Sequence, residues 1–453
     1  MSHYKPYLSY KDSGVEWLGR VPEGWEVSRM RNSIAFAQNG VWGEDPDGGE
    51  DDISCARVAD FDRENFTVSG ELLTQRKIAP VQRKFRMVNT GDLLLEKSGG
   101  GEQTSVGAVV QYVGTSPVVC SNFVAVVKCN AKTNARWLCY VNAHLYSVGV
   151  NRRSIKQTTG IQNIDSDEYL SESIAVPSPA EQRAIAAHLD RETVRLDGLA
   201  AKKTRFIELL REKRQALITH AVTKGLDPTV KMKDSGVEWL GQVPEHWVVK
   251  SLRRIARIVR GASPRPAGDP QFFCDSDEIE GSMPWVTVAE ITKDNTKNLD
   301  ETATYLTPLG AQQSQIFKAG TLLFSNSGAT LGVPKILGID CCANDGVLAF
   351  NDLSRRLYIE FLYYFLATTT ESLREKMQRG GQPNLNTDIV KSMFFAMPSL
   401  DEQKRVVLFI DQATTRLDIL IEKTERSIAL IKERRAALIT AAVTGQIDLR
   451  AAP

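Results

Sequence analysis

Asp92 and Glu96, beside Lys97, come closest in type to an acid cluster that could act on a phosphodiester, but their spacing is wrong for a nuclease and exposed charge is the plainer account. The glycine run Gly99–Gly101 follows Lys97 and Ser98 after a strand-like segment. No lysine stands after it at the spacing of a Gly-x-x-x-x-Gly-Lys-Ser/Thr phosphate loop, so a tight loop is expected and an ATPase or translocase is not. The chain also lacks a Gly-x-Gly-x-x-Gly run, an Asn-Pro-Pro-aromatic run of the kind that marks amino-methyltransferases, a Gly-x-Ser-x-Gly elbow and a His-Glu-x-x-His helix. Five histidines show no ligand spacing. Seven cysteines are odd in number and scattered without a Cys-x-x-Cys pair, which predicts buried thiols rather than a disulfide framework or a zinc site. The residues do not assemble into catalytic or metal-binding machinery.

The frame around these residues is a repeat. Residues 11–31 (KDSGVEWLGRVPEGWEVSRMR) return at 233–253 (KDSGVEWLGQVPEHWVVKSLR) with 15 of 21 positions identical, an offset of 222. A second block, 177–223, returns at 398–444 with an offset of 221. Between them, 32–176 and 254–397 align only in scraps. Two similar frames therefore surround two dissimilar inserts, a pattern that suggests one architecture with two specificities.

Each second block reads as one long helix of about 40 residues, roughly 60 Å. Ile185, Leu189, Leu196, Leu199, Phe206, Leu210 and Leu217 fall on steps of three and four, as do Val406, Ile410, Ala413, Leu417, Leu420, Ile431 and Leu438. That period with charged flanks is a coiled-coil seam, and two equivalent seams in one chain supply each other's partner. Ser178 or Ser399 after a proline, with Glu181 or Glu402 three residues on, predicts capping boxes. Before each helix lie strand-like runs, 92–95, 106–113 and 118–127, then 284–288, 321–324 and 346–350, with one helical stretch in each insert, 136–146 and 357–376. These mixtures predict compact α+β domains. The expected division is a first domain at 1–176, a helix at 177–223, a linker at 224–232, a second domain at 233–397, a helix at 398–444 and a tail at 445–453.

With 453 residues, 42% hydrophobic and 25% charged, the chain has the composition of a multidomain globular protein. The N-terminus lacks an apolar leader core and the most apolar stretch, 358–367, is half a membrane span, so a cytoplasmic location is expected. A net charge of +1 neither demands nor forbids a polyanionic partner. Its distribution is uneven: 44–52 is acidic, while Arg76, Lys77, Arg83, Lys84, Arg86 and later Arg152, Arg153 and Lys156 are basic.

The block DSGVEWLGxVPxxW at 12–25 and 234–247, the PSxxEQ helix start and the ALITxAVT helix end resemble the specificity subunit of type I restriction-modification systems. The resemblance spans the whole chain. Gly261–Pro264 (GASP) is a further family-like feature, to which the first insert offers only NGVW at 39–42. The resemblance implies an α+β fold of two target-recognition domains joined by two long antiparallel coiled-coil helices, with an internal pseudo-twofold repeat. It also implies a non-catalytic subunit that reads a bipartite, asymmetric DNA target, one domain per half-site, with the helix pair as spacer ruler. Two methyltransferase subunits and motor-nuclease subunits would be its partners, holding S-adenosylmethionine, ATP and magnesium. The EWLG segments and outer helix faces would then be docking surfaces. The rival reading is a coiled-coil adaptor that binds proteins without reading DNA, which would need neither divergent inserts nor basic loops.

Phosphates are met by Arg and Lys, and base edges by Arg, Lys, Asn and Gln. On that chemistry the DNA-contacting candidates are Lys97, Ser98, Gln103, Thr104, Arg152, Arg153, Lys156 and Gln157 in the first insert. In the second they are Arg260, Arg265, Ser325, Asn326, Ser327, Arg379, Gln382 and Asn384. Asn163 and Asn384 occupy matching places in GIQNI (160–164) and GQPNL (381–385), where a shared structural turn and direct DNA contact are both open.

Overall fold

The computed structural model describes residues 4–100, 104–158, 161–275, 279–328, 330–378 and 384–450. It divides into two compact units, one made of residues up to Thr204 together with those from Arg426 onward, the other of Arg205–Glu425. Four helices organise them: α1 (Ala135–Ser147), α2 (Pro179–Lys224), α3 (Ile359–Gln378) and α4 (Leu400–Val443). The long helices α2 and α4 run 46 and 44 residues, somewhat beyond expectation, and each passes from one unit into the other. No helix among the described residues is long and apolar enough to cross a membrane.

The two inserts share a topology that their sequences do not advertise. In the first unit β1 (Ile34–Asn39), β2 (Thr67–Val68), β3 (Leu93–Glu96), β4 (Val109–Tyr112) and β5 (Val124–Cys129) form a sheet in the order β1-β5-β3-β4-β2. In the second, β6 (Arg257–Arg260), β7 (Asn298–Leu299), β8 (Leu322–Ser325), β9 (Pro334–Leu337) and β10 (Val347–Asn351) form the order β6-β10-β8-β9-β7. Every pairing matches, including the single parallel one at the β2 and β7 edge. Successive side chains on a strand face opposite ways, so both faces of the central strand must be apolar. Leu93 and Leu95 join the core shared with α1 and the long helices, while Leu94 joins a second core on the other face. The expected strand 118–127 is two pieces, Val119–Cys120 and Val124–Cys129. The chain turns between them because the Cys120 and Ser121 carbonyls pack where a side chain on Gly40 would stand.

The repeated DSGVEWLG block is a plug. Gly14 and Gly19 hold positive φ in a hairpin (Tyr10–Asp12 with Arg20–Pro22) whose Leu18, Val21 and Trp25 enter the same core as Leu438, Ala442 and Ile447 at the end of α4. In the second unit Leu240, Val243 and Trp247 enter a core with Ile218, Ala221 and Val222 at the end of α2. Each unit is thus an insert, the start of its own long helix and the end of the other one. The apolar residues of the block, expected on a docking surface, are largely spent on this packing.

The seam keeps the predicted period and most of the expected positions, three of which turn outward. Leu199, Phe206 and Leu420 are exposed, and the buried or half-buried track runs 189, 193, 196, 200, 203, 207, 210, 214, 217 and 221 on α2, repeating on α4 from 410 to 442. The sequence offers apolar residues at 199 and 200 and again at 206 and 207, so period alone cannot choose between them. Polar residues that an apolar count passes over settle the choice. Thr193 and Thr414 are buried, and Arg435 bonds Asp197 at 3.0 Å in the first unit as Arg214 bonds Asp418 at 3.1 Å in the second. Arg211 reaches Glu425 at 3.1 Å, and with Arg214–Asp418 this fixes an antiparallel register.

The PSxxEQ start explains how an insert is locked to its helix. Ser178 and Ser399 accept the backbone N–H of Glu181 and Glu402 at 3.3 Å, half of the expected capping box. The carboxylates turn instead to the N-terminal block: Glu181 accepts from Tyr7 Oη at 2.6 Å, and Glu402 from Trp247 Nε1 at 3.0 Å, with His246 Nε2 at 2.9 Å. Gln182 and Gln403 are buried, and their Oε1 atoms take the N–H of Asn134 and Tyr358 at the heads of α1 and α3. Their Nε2 atoms donate to the Pro177 and Pro398 carbonyls. A second lock follows two turns on, where Asp190 accepts from Arg136 and Tyr140 at 2.7 Å, and Asp411 from Tyr364 and, at 3.3 Å, Lys297. Burial pushes the Tyr140 phenol up to about 12.

Removing a buried amide that satisfies backbone groups costs about 1–3 kcal/mol. Gln403→Ala, which strands the Tyr358 N–H and the Pro398 and Arg356 carbonyls, is expected to lower the opening free energy of α3 by roughly that amount, and Gln182→Ala that of α1, read by native-state hydrogen exchange; unchanged protection would remove the amide from the role given to it. A pH dependence also follows. His144 and His188 in the first unit are buried, which holds both below the ordinary histidine value of 6.5. The unfolded chain then binds protons that the folded unit refuses, so their contribution is complete above about 6.5 and is lost as pH falls below it. The second unit has Phe409 in place of His188 and, by the Tyr140–Tyr364 correspondence, Thr368 in place of His144. Between pH 7 and pH 5 the first unit should lose exchange protection and the second hold it, and His188→Phe with His144→Thr should flatten the difference.

Candidate nucleic-acid interface

In the first unit β3 leaves the buried sheet at Glu96 and continues into a ribbon, Ser98–Gly99 pairing with Ile161–Ile164 and that strand with Ile155–Thr158. Lys97 sits at the junction: its N–H donates to Phe123 O at 2.8 Å, its carbonyl accepts from Ile164 N–H at 2.7 Å, and Nζ is held by the neutral Asn39 Oδ1 at 2.7 Å. Ser98 Oγ donates to Asn163 Oδ1 at 2.5 Å. Lys156 lies on the outer strand against Asp165 at 2.6 Å, and the backbone of Gln157 pairs with Gln162. Arg152 and Arg153 are exposed on a short 3-10 turn, Val150–Ser154, at the foot of that strand, which buried Asn151 pins by donating to Val106 O at 2.7 Å. Thr104 is exposed before Val106. The fold therefore gathers Lys97, Ser98, Lys156 and Gln157 on one ribbon with Arg152 and Arg153 beside it. Gln103 lies outside the described residues.

The acids near this ribbon are committed elsewhere. Glu96 accepts two 2.9 Å bonds from Arg63, a partner the sequence did not signal, and Asp92 pairs with Lys128 at 3.1 Å. Among the described residues no group of three or more His, Cys, Asp or Glu is placed to hold a metal ion. The acidic run and the first basic cluster meet each other: Asp45 with Arg76, Asp47 with Lys77 at 2.6 Å and Asp51 with Arg83 at 3.6 Å. The Lys77 ammonium holds the Asp47 carboxyl below its ordinary value.

The second unit repeats the plan with different groups. β8 ends at Ser325, which is fully buried, donates to Thr330 O and accepts from Val333 N–H, both at 2.9 Å. Asn326 is also buried; its backbone joins Gly346 and Leu385, and its Oδ1 has no hydrogen-bond partner among the described residues. Ser327 forms a backbone bridge with Asn384. Ser98 with Asn163 and Ser327 with Asn384 are thus the same backbone pairing in both units, so the matching asparagines of GIQNI and GQPNL occupy equivalent places. Arg260 and Arg265 converge on Asp345, Arg260 Nε on its carbonyl at 2.5 Å and Arg265 Nη2 on its carboxylate at 3.2 Å. Arg379 and Gln382 lie outside the described residues.

Gly261 of GASP and Gly40 of NGVW are true counterparts. Gly40 and Val41 N–H bond the Val124 and Cys120 carbonyls, as Gly261 and Ala262 bond those of Val347 and Ala343. A Cβ at either glycine would lie within 2.5 Å of two loop carbonyl oxygens, so both leading loops need glycine for the same close approach. The thiols Cys55, Cys120, Cys139, Cys341 and Cys342 are buried, and all seven cysteines are unbridged.

Residues 244–430 match the family profile described as the type I restriction modification DNA specificity domain. Over 451 residues the chain is 19% identical to the type I restriction enzyme EcoKI specificity subunit of Escherichia coli K12, covering 95% of this chain and 90% of that one. Over 452 residues it is 20% identical to the StySPI specificity subunit of Salmonella potsdam, with the same coverage. A chain from a structural study of complex assembly and conformational transition in a type I restriction-modification system aligns with TM-score 0.71 at 14% identity, over 93% of this chain and 98% of that one. The HsdS subunit of Thermoanaerobacter tengcongensis aligns with TM-score 0.58 at 15% identity, over 94% and 98%. Residues 244–430 thus carry a type I restriction modification DNA specificity domain, and over nearly its whole length the chain is similar to type I specificity subunits in sequence and in fold.

Proposed function

We infer that this chain is the DNA sequence-recognition subunit of a type I restriction-modification complex, reading a split, asymmetric target with one insert per half-site. The observation that carries this is the identity of sheet order in two inserts whose edge residues differ: Lys97, Lys156 and the Arg152–Arg153 turn in one, Arg260, Arg265 and Asp345 in the other. A scaffold kept constant while its polar edge changes suits two readers of unlike base sequences. The pseudo-twofold frame mirrors the dyad of duplex DNA, and the helix pair sets the unread spacer. Methylation and cleavage fall to methyltransferase and motor-nuclease partners, which would carry S-adenosylmethionine, ATP and magnesium.

Mapping N6-methyladenine in a host carrying the chain with its methyltransferase partner, against the same host without the chain, should show a split motif that disappears with the chain; unchanged methylation would defeat the reading. Exchanging residues 32–176 for another such insert should alter one half of that motif, and a change in both halves would rule out independent readers. Adding four residues to one long helix lengthens it by about 6 Å, near two base pairs at ~3.4 Å each. The spacer should then grow, whereas an unchanged spacer would take the ruler role away from the helices.

A further inference from the structure

The second unit carries a basic groove that the candidate reading loops do not include. It is an open cleft of about 540 Å³ with Ile255, Ala256 and Ile258 buried in its floor and Arg253, Arg254, Arg257 and Lys391 along its rim. The three arginines are exposed. Two carboxylates stand against these four cations, Asp352 at 3.7 Å from Arg257 and Asp388 at 3.5 Å from Lys391, both largely in solvent. In the first insert, by contrast, Arg76, Lys77 and Arg83 each have an aspartate.

The repeated frame does not require this charge. The repeat aligns Arg253 with Arg31 and Arg254 with Asn32, and sheet register matches Arg257, opposite Asn351, with Phe36, opposite Lys128. In the first unit Arg31 is used up on Ser171 and the Asp167 carbonyl. Two of the rim arginines, Arg254 and Arg257, therefore have no basic counterpart in the first unit. The rim charge adds like-charge repulsion to folding and returns no ion-pair network, the balance expected where the counter-charge comes from a ligand. The ligand must be extended and repeatedly charged, because the cations line a trough and do not converge on a point. Arg257 shares a strand with the candidate Arg260, about 10 Å along it, with the two side chains on opposite faces.

We propose that this groove holds the phosphate backbone of duplex DNA flanking the half-site read by the second unit. The proposal rests on the recognition function inferred above and extends it to a contact that positions the duplex without reading it.

The test uses the full chain assembled with its methyltransferase partners and two duplexes carrying the mapped target. One ends at the second half-site and the other continues past it by one helical turn, about 10 base pairs. The wild-type complex should bind the longer duplex more tightly and with a steeper salt dependence. In Arg253→Ala/Arg254→Ala/Arg257→Ala that gain should vanish and the slope of log K against log salt become shallower by about 2.7, at ~0.9 per lost phosphate contact, with the methylation motif unchanged. The matching triple lysine variant should keep most of the slope, which separates lost charge from a damaged fold. An alanine variant with wild-type slope and wild-type gain from the longer duplex would overturn the proposal. So would an alanine variant that fails to assemble with the methyltransferase while its assembled fraction binds DNA as before, since the groove would then be a protein-docking face. If the wild-type complex shows no sequence-dependent binding on either duplex, the recognition reading fails and this proposal with it, before any variant is compared.

Discussion

The two cores that seat the repeated blocks are each completed by a helix end that comes from the other half of the chain. Gly445, just past α4, sits so near Pro22 and Trp25 that a Cβ there would lie 2.3 Å from the Pro22 ring, and Gly225, just past α2, faces Trp247 at 3.4 Å. A single repeat therefore contains an unfinished core, and burial of two tryptophans depends on both long helices running antiparallel in one register. Aromatic burial of this kind is the largest single favourable contribution such a small contact can make. Everything else in the frame follows from it: the hairpin that presents each tryptophan, the glycine that lets it approach, and the seam arginines that hold the register.

From that constraint it follows where the inserts are free to vary. The locks at Gln182 and Asp190, or Gln403 and Asp411, bind the head of α1 or α3 to its long helix and recur with the same geometry. The central strands are apolar on both faces. Only the sheet edges and the loops leaving them have no such duties, and there the two units diverge, with a ribbon bearing lysines and two arginines in one and an arginine pair folded onto Asp345 in the other. The frame fixes position, and the edges supply difference.

Much of this was legible in the sequence because the repeat displays itself. The block boundaries, the long helices, their serine-capped starts and most central strands follow from identity, apolar period and turn residues. What escaped did so for physical reasons. The seam phase depends on Thr193, Arg214 and their repeats, polar residues whose burial needs a partner from elsewhere in the chain. Glu181 and Glu402 fit a local capping box, yet a tyrosine, a tryptophan and a histidine from the N-terminal blocks claim them. β9, beginning at a proline two residues after Gly332, carried a turn signal. The acidic run at 44–52 and the cations at 76–83 look like separate patches along the chain and are partners in space.

The candidate contacts divide along the same line. Ser325 is consumed by its own turn, and the serine–asparagine pairing recurs in both units, so neither can by itself distinguish one half-site from the other. A group that sets specificity must differ between the units and must reach solvent. Lys156, Arg152 and Arg153 meet both conditions in the first unit, and Arg260 and Arg265 meet them in the second. Arg260 is tied to the Asp345 backbone carbonyl and Arg265 to its carboxylate, and an arginine so held presents its remaining N–H groups in a fixed direction, as bidentate recognition of a guanine edge demands.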